Sequence, residues 1–247
     1  MIKSFRIGLY CIIVAVSLGC FPAFAQDGQD ADLSGLMEEY ETDSAHSKVP
    51  DPLYRYNKVM YHFNDRFYYW GLKPVASGYK RALPGDVRKC VRNFFTNALF
   101  PVRFVNCLLQ GKIKSAGEEF GIFTVNTTVG CFGLGRPAQD EFAWEISKED
   151  FGQTLGSYSI KQGFYIIWPV LGPSTLRDTV GRAGDYFLTP VNYLKPARAV
   201  YGLKALDTVN STSFRLGDYE AVRQGAVDPY AALKSAYIQH RAKRVNE

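Results

Sequence analysis

The chain is poor in the groups most enzymes work with. It holds three histidines, His46, His62 and His240, and none stands at the HExxH spacing or a comparable metal-ligating one. No GxSxG occurs, which removes the serine-hydrolase elbow. Gly133-Leu134-Gly135-Arg136-Pro137-Ala138 matches G-x-G-x-x-A by letter. That fingerprint needs a strand before it and a helix opening within it, and Pro137 after a helical approach denies both. Past the first 25 residues only Cys90, Cys107 and Cys131 remain. An odd number at wide spacing, without CxxC, is no disulfide framework, although one pair is free to oxidise outside the cytoplasm. Alternating strand patterns are scarce too, with 157–168 the one plausible short extended piece.

Aromatic residues, by contrast, make up 15% of the chain, and 16 Tyr and 17 Phe outweigh three Trp. Rings with one polar end suit a membrane interface or a wet apolar cleft, and ordinary core packing uses them as well. The first 25 residues form an export signal: Lys3 and Arg6, an apolar run from Ile7 to Leu18, then Pro22 ahead of Ala23-Phe24-Ala25, an A-x-A cleavage site. The run is too short to span a bilayer. Overlapping it, Ser17-Leu18-Gly19-Cys20 approximates a lipobox, with Ser17 where leucine is usual. Cleavage after Ala25 fits the pattern better than lipidation of Cys20, and both place the mature chain in a bacterial envelope.

Charge is divided unevenly. Residues 26–51 hold eight acids and one base, Lys48, whereas 52–247 hold 16 acids and 26 bases, a net of +10. The acidic stretch 26–50 lacks periodicity and reads as a flexible tether. A basic body attracts anionic head groups or nucleic acid, and export makes nucleic acid the poorer partner. A solvated basic surface with no partner is the plainer alternative.

Asp51-Pro52 and Asp228-Pro229 each mark a helix start, the second before a basic run suited to a helix C-terminus. In the first helix Val59, Met60, Phe63, Phe67 and Trp70 share one face, and Gly71 and Pro74 are expected to end it. Further helices are expected over 86–98, from Pro101 to Gly111, from Lys112 onward, from Pro173-Ser174, and over 197–210 and 229–243. The helix after Lys112 carries Ile113, Ala116, Phe120, Phe123 and Thr127 at spacings of three or four. With Ile122, Val125 and Val129 off that stripe, it is apolar on more than one side, as deep burial or lipid contact requires.

Two uncharged runs stand out, FGIFTVNTTVGCFGLG at 120–135 and QGFYIIWPVLGPSTL at 162–176. Irregular backbone at membrane depth is tolerated only where protein or a wet cavity satisfies its polar groups. Such segments suggest interfacial pieces lining a cavity, with a buried core helix and a buried loop as the alternative. Asn126-Thr127-Thr128 is a sequon by letter, and it reads here as polar side chains bonding helix backbone. Arg177 and Asp178 are adjacent on a helix and do not face one another, so each is expected to pair with another element.

Several words in one order resemble the MlaA (VacJ) family of outer-membrane proteins. They are DPLYRYNKVMYHFN at 51–64, FFTNALFPVRFVNCLLQG at 94–111, FTVNTTVGCFGLG at 123–135, FGQTLGSYS at 151–159, WPVLGPSTLRDTVG at 168–181 and DPYAALKSAYIQHR at 228–241. The resemblance covers 51–243 and leaves 244–247 as a short tail. It implies an all-α, mainly helical ring of amphipathic helices in the outer membrane, with a glycine-rich hairpin or loop beside a central channel. It implies retrograde transport of phospholipid from the outer leaflet to a periplasmic lipid-carrier protein, association with a trimeric porin, no cofactor and no catalysis. Phe123, Asn126, Thr127, Gly130, Phe132, Gly133, Leu134 and Arg177 are the channel residues carried over from the matching segments. The imperfect lipobox and the lack of a long acidic tail depart from the family pattern. A structural porin-binding protein that moves no lipid, and a periplasmic lipid hydrolase, are the other readings. The absence of a nucleophile–base pattern counts against the hydrolase.

Overall fold

The computed structural model describes residues 49–246. The export signal, Cys20 and nearly all of the acidic stretch lie outside the described residues.

The body is mainly helical, as expected. In chain order it comprises α1 (Tyr54–Phe67), a π-helical turn (Tyr68–Leu72), α2 (Lys73–Ala82), α3 (Gly85–Ala98), α4 (Phe100–Leu109), α5 (Ile113–Thr128) and the single turn α6 (Pro137–Asp140). There follow α7 (Phe151–Ser157), strands β1 (Tyr165–Trp168) and β2 (Gly172–Thr175), α8 (Leu176–Leu188), a 3-10 turn (Pro190–Tyr193), α9 (Ala197–Phe214), α10 (Asp218–Gly225) and α11 (Pro229–Asn246). No described helix is long and apolar enough to cross a membrane.

Several boundaries differ from the sequence reading, three of them for a clear local reason. Gly71 and Pro74 do not end the first helix. The π turn carries the chain through Gly71, and Pro74 falls in the first turn of α2, where its missing N–H costs nothing. Pro173 and Ser174 do not begin a helix either. They lie in β2, and the helix starts one residue after Thr175, whose side chain accepts from the Asp178 amide. Residues 151–157, left without an element by periodicity, form α7, capped by Asp150 accepting from the Gln153 amide at 2.8 Å. The last helix also continues to Asn246, beyond position 243.

The polarity of the body is inverted on several helices. On α1 the apolar stripe faces outward, with Val59, Phe63 and the following Trp70 exposed, Trp70 at 82%. The inward face carries Asn57 and Tyr61, both buried, and Asn64. Likewise α8 buries Arg177 and Asp178 and exposes Leu176, Val180 and Phe187, whereas α5 is mixed, burying Glu119 and Asn126 beside Ala116 and Ile122 and exposing Ile113 and Phe120. Among the described residues more polar than apolar side chains are buried. Ordinary soluble packing runs the other way.

The second uncharged run folds into an antiparallel hairpin in which Tyr165 pairs with Thr175 and Trp168 with Gly172. Two asparagines two helical turns apart on α1 complete the outer edge of β1. Asn57 donates to the Tyr165 carbonyl at 3.0 Å and accepts from the Ile167 amide at 2.7 Å. Asn64 donates to the Trp168 carbonyl at 2.9 Å and accepts from the Val170 amide at 2.6 Å. Helix side chains thus satisfy a strand edge that would otherwise be buried unpaired. Tyr61, Tyr165, Ile167 and Tyr230 form the core cluster around this joint.

Candidate functional site

A cavity of about 570 Å³ opens among α3, α8, α9, α11, the hairpin and the segment 143–150. One wall is α3, through Arg92, Asn93, Phe95 and Thr96, with Leu99 and Arg103 beyond it. A second is the non-helical strap Ala143–Asp150, of which every residue lines the space. Opposite lie Leu171 and Pro173 of the hairpin, Asp178, Arg182 and Asp185 of α8, Asp207 of α9, and Tyr237, His240, Arg241 and Arg244 of α11. Arg136, Gln139 and Asp140 close the ring.

The strap is fixed by buried charge. Arg103 donates to Glu119 at 2.8 Å and to the Thr96 carbonyl at 2.7 Å, and Glu119 accepts from the Ser147 amide. Burial pushes the Glu119 carboxyl above its ordinary range although Arg103 opposes it. Further along, Glu149 accepts from Gln110 and Lys112, both at 2.7 Å. A strap that is neither helix nor strand obtains its backbone and side-chain order from these groups on α4, α5 and the turn between them.

Across the cavity one arginine joins three elements. Arg241 of α11 reaches Asp150 at the start of α7 at 2.6 Å and Asp178 of α8 at 2.9 Å. Tyr237 also donates to Asp178, at 2.8 Å. Burial alone would raise both aspartates, yet the Arg241 contacts outweigh it and hold both carboxyls below the usual range. Arg177 contacts its neighbour Asp178 at 3.3 Å. The expectation that each pairs with another element is met for Asp178 through Arg241, while the two adjacent side chains also contact one another, which the sequence reading did not foresee. Two other carboxyls behave oppositely. Burial, with the charge of Asp150 behind it, pushes Asp185 up to about 7, and burial pushes Asp207 up to about 7.

The eight residues named from sequence lie elsewhere: none lines this cavity. Seven sit on the end of α5 and the loop after it. Phe123 stacks on Phe100 with centroids 4.3 Å apart. Asn126 is buried, donates to Gln139 at 3.0 Å and accepts from the Ala138 amide at 3.0 Å, so it holds α6 against α5. Thr127 accepts from Asn97. Gly130 and Gly133 allow close backbone approach: a Cβ on Gly133, at φ +83°, would stand 2.4 Å from Asn97 Cβ. Phe132 and Leu134 are exposed, Phe132 at 76%. Arg177, on α8, is buried. The loop and the end of α5 border the site through Asn93, which donates to the Leu134 carbonyl at 3.0 Å, and through Gln139, and they are separate from its lining.

Periodicity held a signal for what was missed. Asp178, Arg182 and Asp185 are spaced i, i+4, i+7, and Tyr237, His240, Arg241 and Arg244 also return to one helix face. A charged stripe is ordinarily read as solvated, and here it looks inward. Among the described residues no group of three His, Cys, Asp or Glu side chains is placed to hold a metal ion. Cys90, Cys107 and Cys131 are free thiols.

Apolar side chains exposed on several helices, hydrogen-bonded polar groups buried beneath them and a cavity walled largely by charged residues define a helical protein of inverted polarity. The chain belongs to the MlaA lipoprotein family, whose model matches residues 49–244. The intermembrane phospholipid transport system lipoprotein MlaA of Haemophilus influenzae is 30% identical over 229 residues, covering 87% of this chain and 86% of its own. Its Escherichia coli K12 counterpart of the same name is 31% identical over 195 residues, 76% of each chain. A solved chain, from work on the structural basis for maintenance of bacterial outer membrane lipid asymmetry, matches with a TM-score of 0.71 at 29% identity. That match covers 80% of this chain and 100% of the other.

Proposed function

We propose that this chain is the outer-membrane component of a phospholipid transport system, seated in the membrane from its periplasmic side. It withdraws phospholipid misplaced in the outer leaflet through the cavity and passes it to a periplasmic lipid-carrier protein. The observation that carries this reading is the inverted polarity. Exposed aromatic and aliphatic side chains on α1, α5 and α8 suit contact with acyl chains, and a charged cavity suits the passage of a head group. The relatives named for intermembrane phospholipid transport give the same direction to the argument.

The protein acts as a conduit without catalysing a bond change. No energy source is required at this step, since lipid in the wrong leaflet moves downhill. A trimeric porin is the membrane partner this reading assigns, and the basic body favours anionic head groups at the surface. Cys20, if acylated, adds one chain, which by itself anchors weakly.

The test is surface labelling of amine head groups in cells lacking the gene. Outer-leaflet phosphatidylethanolamine is expected to rise and to return to the parental level when the intact gene is restored. An unchanged outer leaflet, with the protein normally made in the parent, would leave a structural porin partner as the better reading.

A further inference from the structure

One cation in the cavity wall differs from its neighbours. Arg103 is paired with Glu119, Arg241 spans Asp150 and Asp178, and Arg136 faces Asp140 at 3.7 Å. Arg182 has Asp178 one turn before it and Asp185 one turn after it on α8, yet it forms no ion pair with either. Asp178 is taken by Arg241, Arg177 and Tyr237. Asp185 accepts from Asn106 and the Phe151 amide instead. The Arg182 guanidinium donates through Nη2 to the Pro173 carbonyl at 3.0 Å, and its Nη1 is buried without a hydrogen-bond partner.

Helix α8 is held too closely to slide toward a counter-charge. A Cβ on Gly181 would stand 2.4 Å from the Gly152 amide nitrogen, and one on Gly184 would stand 2.7 Å from the Phe151 ring. These contacts lock α8 to α7 on either side of Arg182. A donor enclosed without a partner is unfavourable where it stands, and turning the half-buried guanidinium toward the cavity lets an oxygen acceptor complete it. Its planar fork suits two oxygens of one phosphate.

We propose that Arg182 is the phosphate contact of the cavity, the side chain that receives the phosphodiester of a lipid in transit. This rests on the transport reading and deepens it, because it names the residue by which the cavity tells a phospholipid from a phosphate-free lipid. The phosphodiester brings both the negative charge and the acceptor that the wall around Arg182 withholds.

The experiment is native mass spectrometry of the purified full chain in detergent, offered equal amounts of phosphatidylethanolamine and the diacylglycerol with the same acyl chains. The wild type is expected to retain the phospholipid in preference. Arg182→Gln is expected to reduce that preference about tenfold, the scale of one charge-assisted contact. Arg182→Lys keeps the charge and loses the fork; it is expected to fold and to lose about threefold. Undiminished preference in either folded variant overturns the assignment. Displacement of the lipid by millimolar inorganic phosphate would assign the seat to free phosphate and overturn the lipid assignment. A wild-type protein that binds neither lipid would reject the transport reading, and this one with it.

Discussion

The uncharged runs 120–135 and 162–176 are close in composition and opposite in what surrounds them. The second is drawn inside. Tyr165 and Ile167 are almost wholly buried, Ser174 and Thr175 with them, and two α1 asparagines satisfy the strand edge. The first is turned out at its far end, where Val129, Phe132 and Leu134 are exposed and the backbone folds on itself through Phe132 N to the Thr127 carbonyl and Gly133 N to the Asn126 carbonyl. The difference lies in who satisfies the backbone. A strand edge needs donors and acceptors from elsewhere and is carried to where they are, whereas a helix end closing through left-handed residues satisfies itself. Cys131, Phe132 and Gly133 all have positive φ in this loop. Freed from that demand, its side chains are available for an apolar environment outside the protein.

Breaking the buried partner of this pair should cost most. Asn57→Ala removes the contacts to Tyr165 and Ile167 and leaves a buried carbonyl and amide unmet, a loss of about 3 kcal/mol. Chemical denaturation of the detergent-solubilised protein would measure it. In the loop, Gly133→Ala places a methyl group against Asn97 at a backbone angle that disfavours it, and about 2 kcal/mol is expected by the same assay. Phe132→Ser, at an exposed position, should change stability in detergent by less than about 0.5 kcal/mol. A Phe132→Ser loss as large as that of Asn57→Ala would end the contrast between the two runs.

The smallest effect is one of pH. Asp207, ordinarily near 3.8, is raised to about 7 by burial. The folded protein therefore holds a proton that the unfolded chain has released. The stability this contributes is fully present below the unfolded value and is lost as pH rises through the folded one. Between pH about 4 and 7 the melting temperature should fall with rising pH on this account, and Asp207→Asn should flatten part of that slope. Asp185, raised for a like reason, accounts for a further part.

How far the sequence carries can be judged from particular residues. The bounds of α3, α4 and α5 are legible because proline and glycine act locally, as at Pro101 and Gly111. Continuity through Gly71 and Pro74 is not, because it depends on a π turn that leaves no compositional mark. β1 falls within the extended piece expected at 157–168, but β2 and the edge partners Asn57 and Asn64, more than a hundred positions away, were hidden. The motif words led to the family and to the loop beside the site. They did not lead to the cavity wall, because Arg92, Thr96, Ser147, Arg182 and Arg241 meet only through tertiary packing. Their charge on a helix face reads as solvent exposure until the apolar faces are known to point outward.

The central claim is that lipid passes through this cavity and not merely along the outside of the protein. Thr96 lines the cavity, and replacing it with tryptophan fills space there without changing charge. In cells carrying Thr96→Trp at normal abundance, surface labelling should show outer-leaflet phosphatidylethanolamine raised to the level of cells lacking the gene. An outer leaflet as clear as that of the parent, with the filled protein in the membrane, would contradict the account.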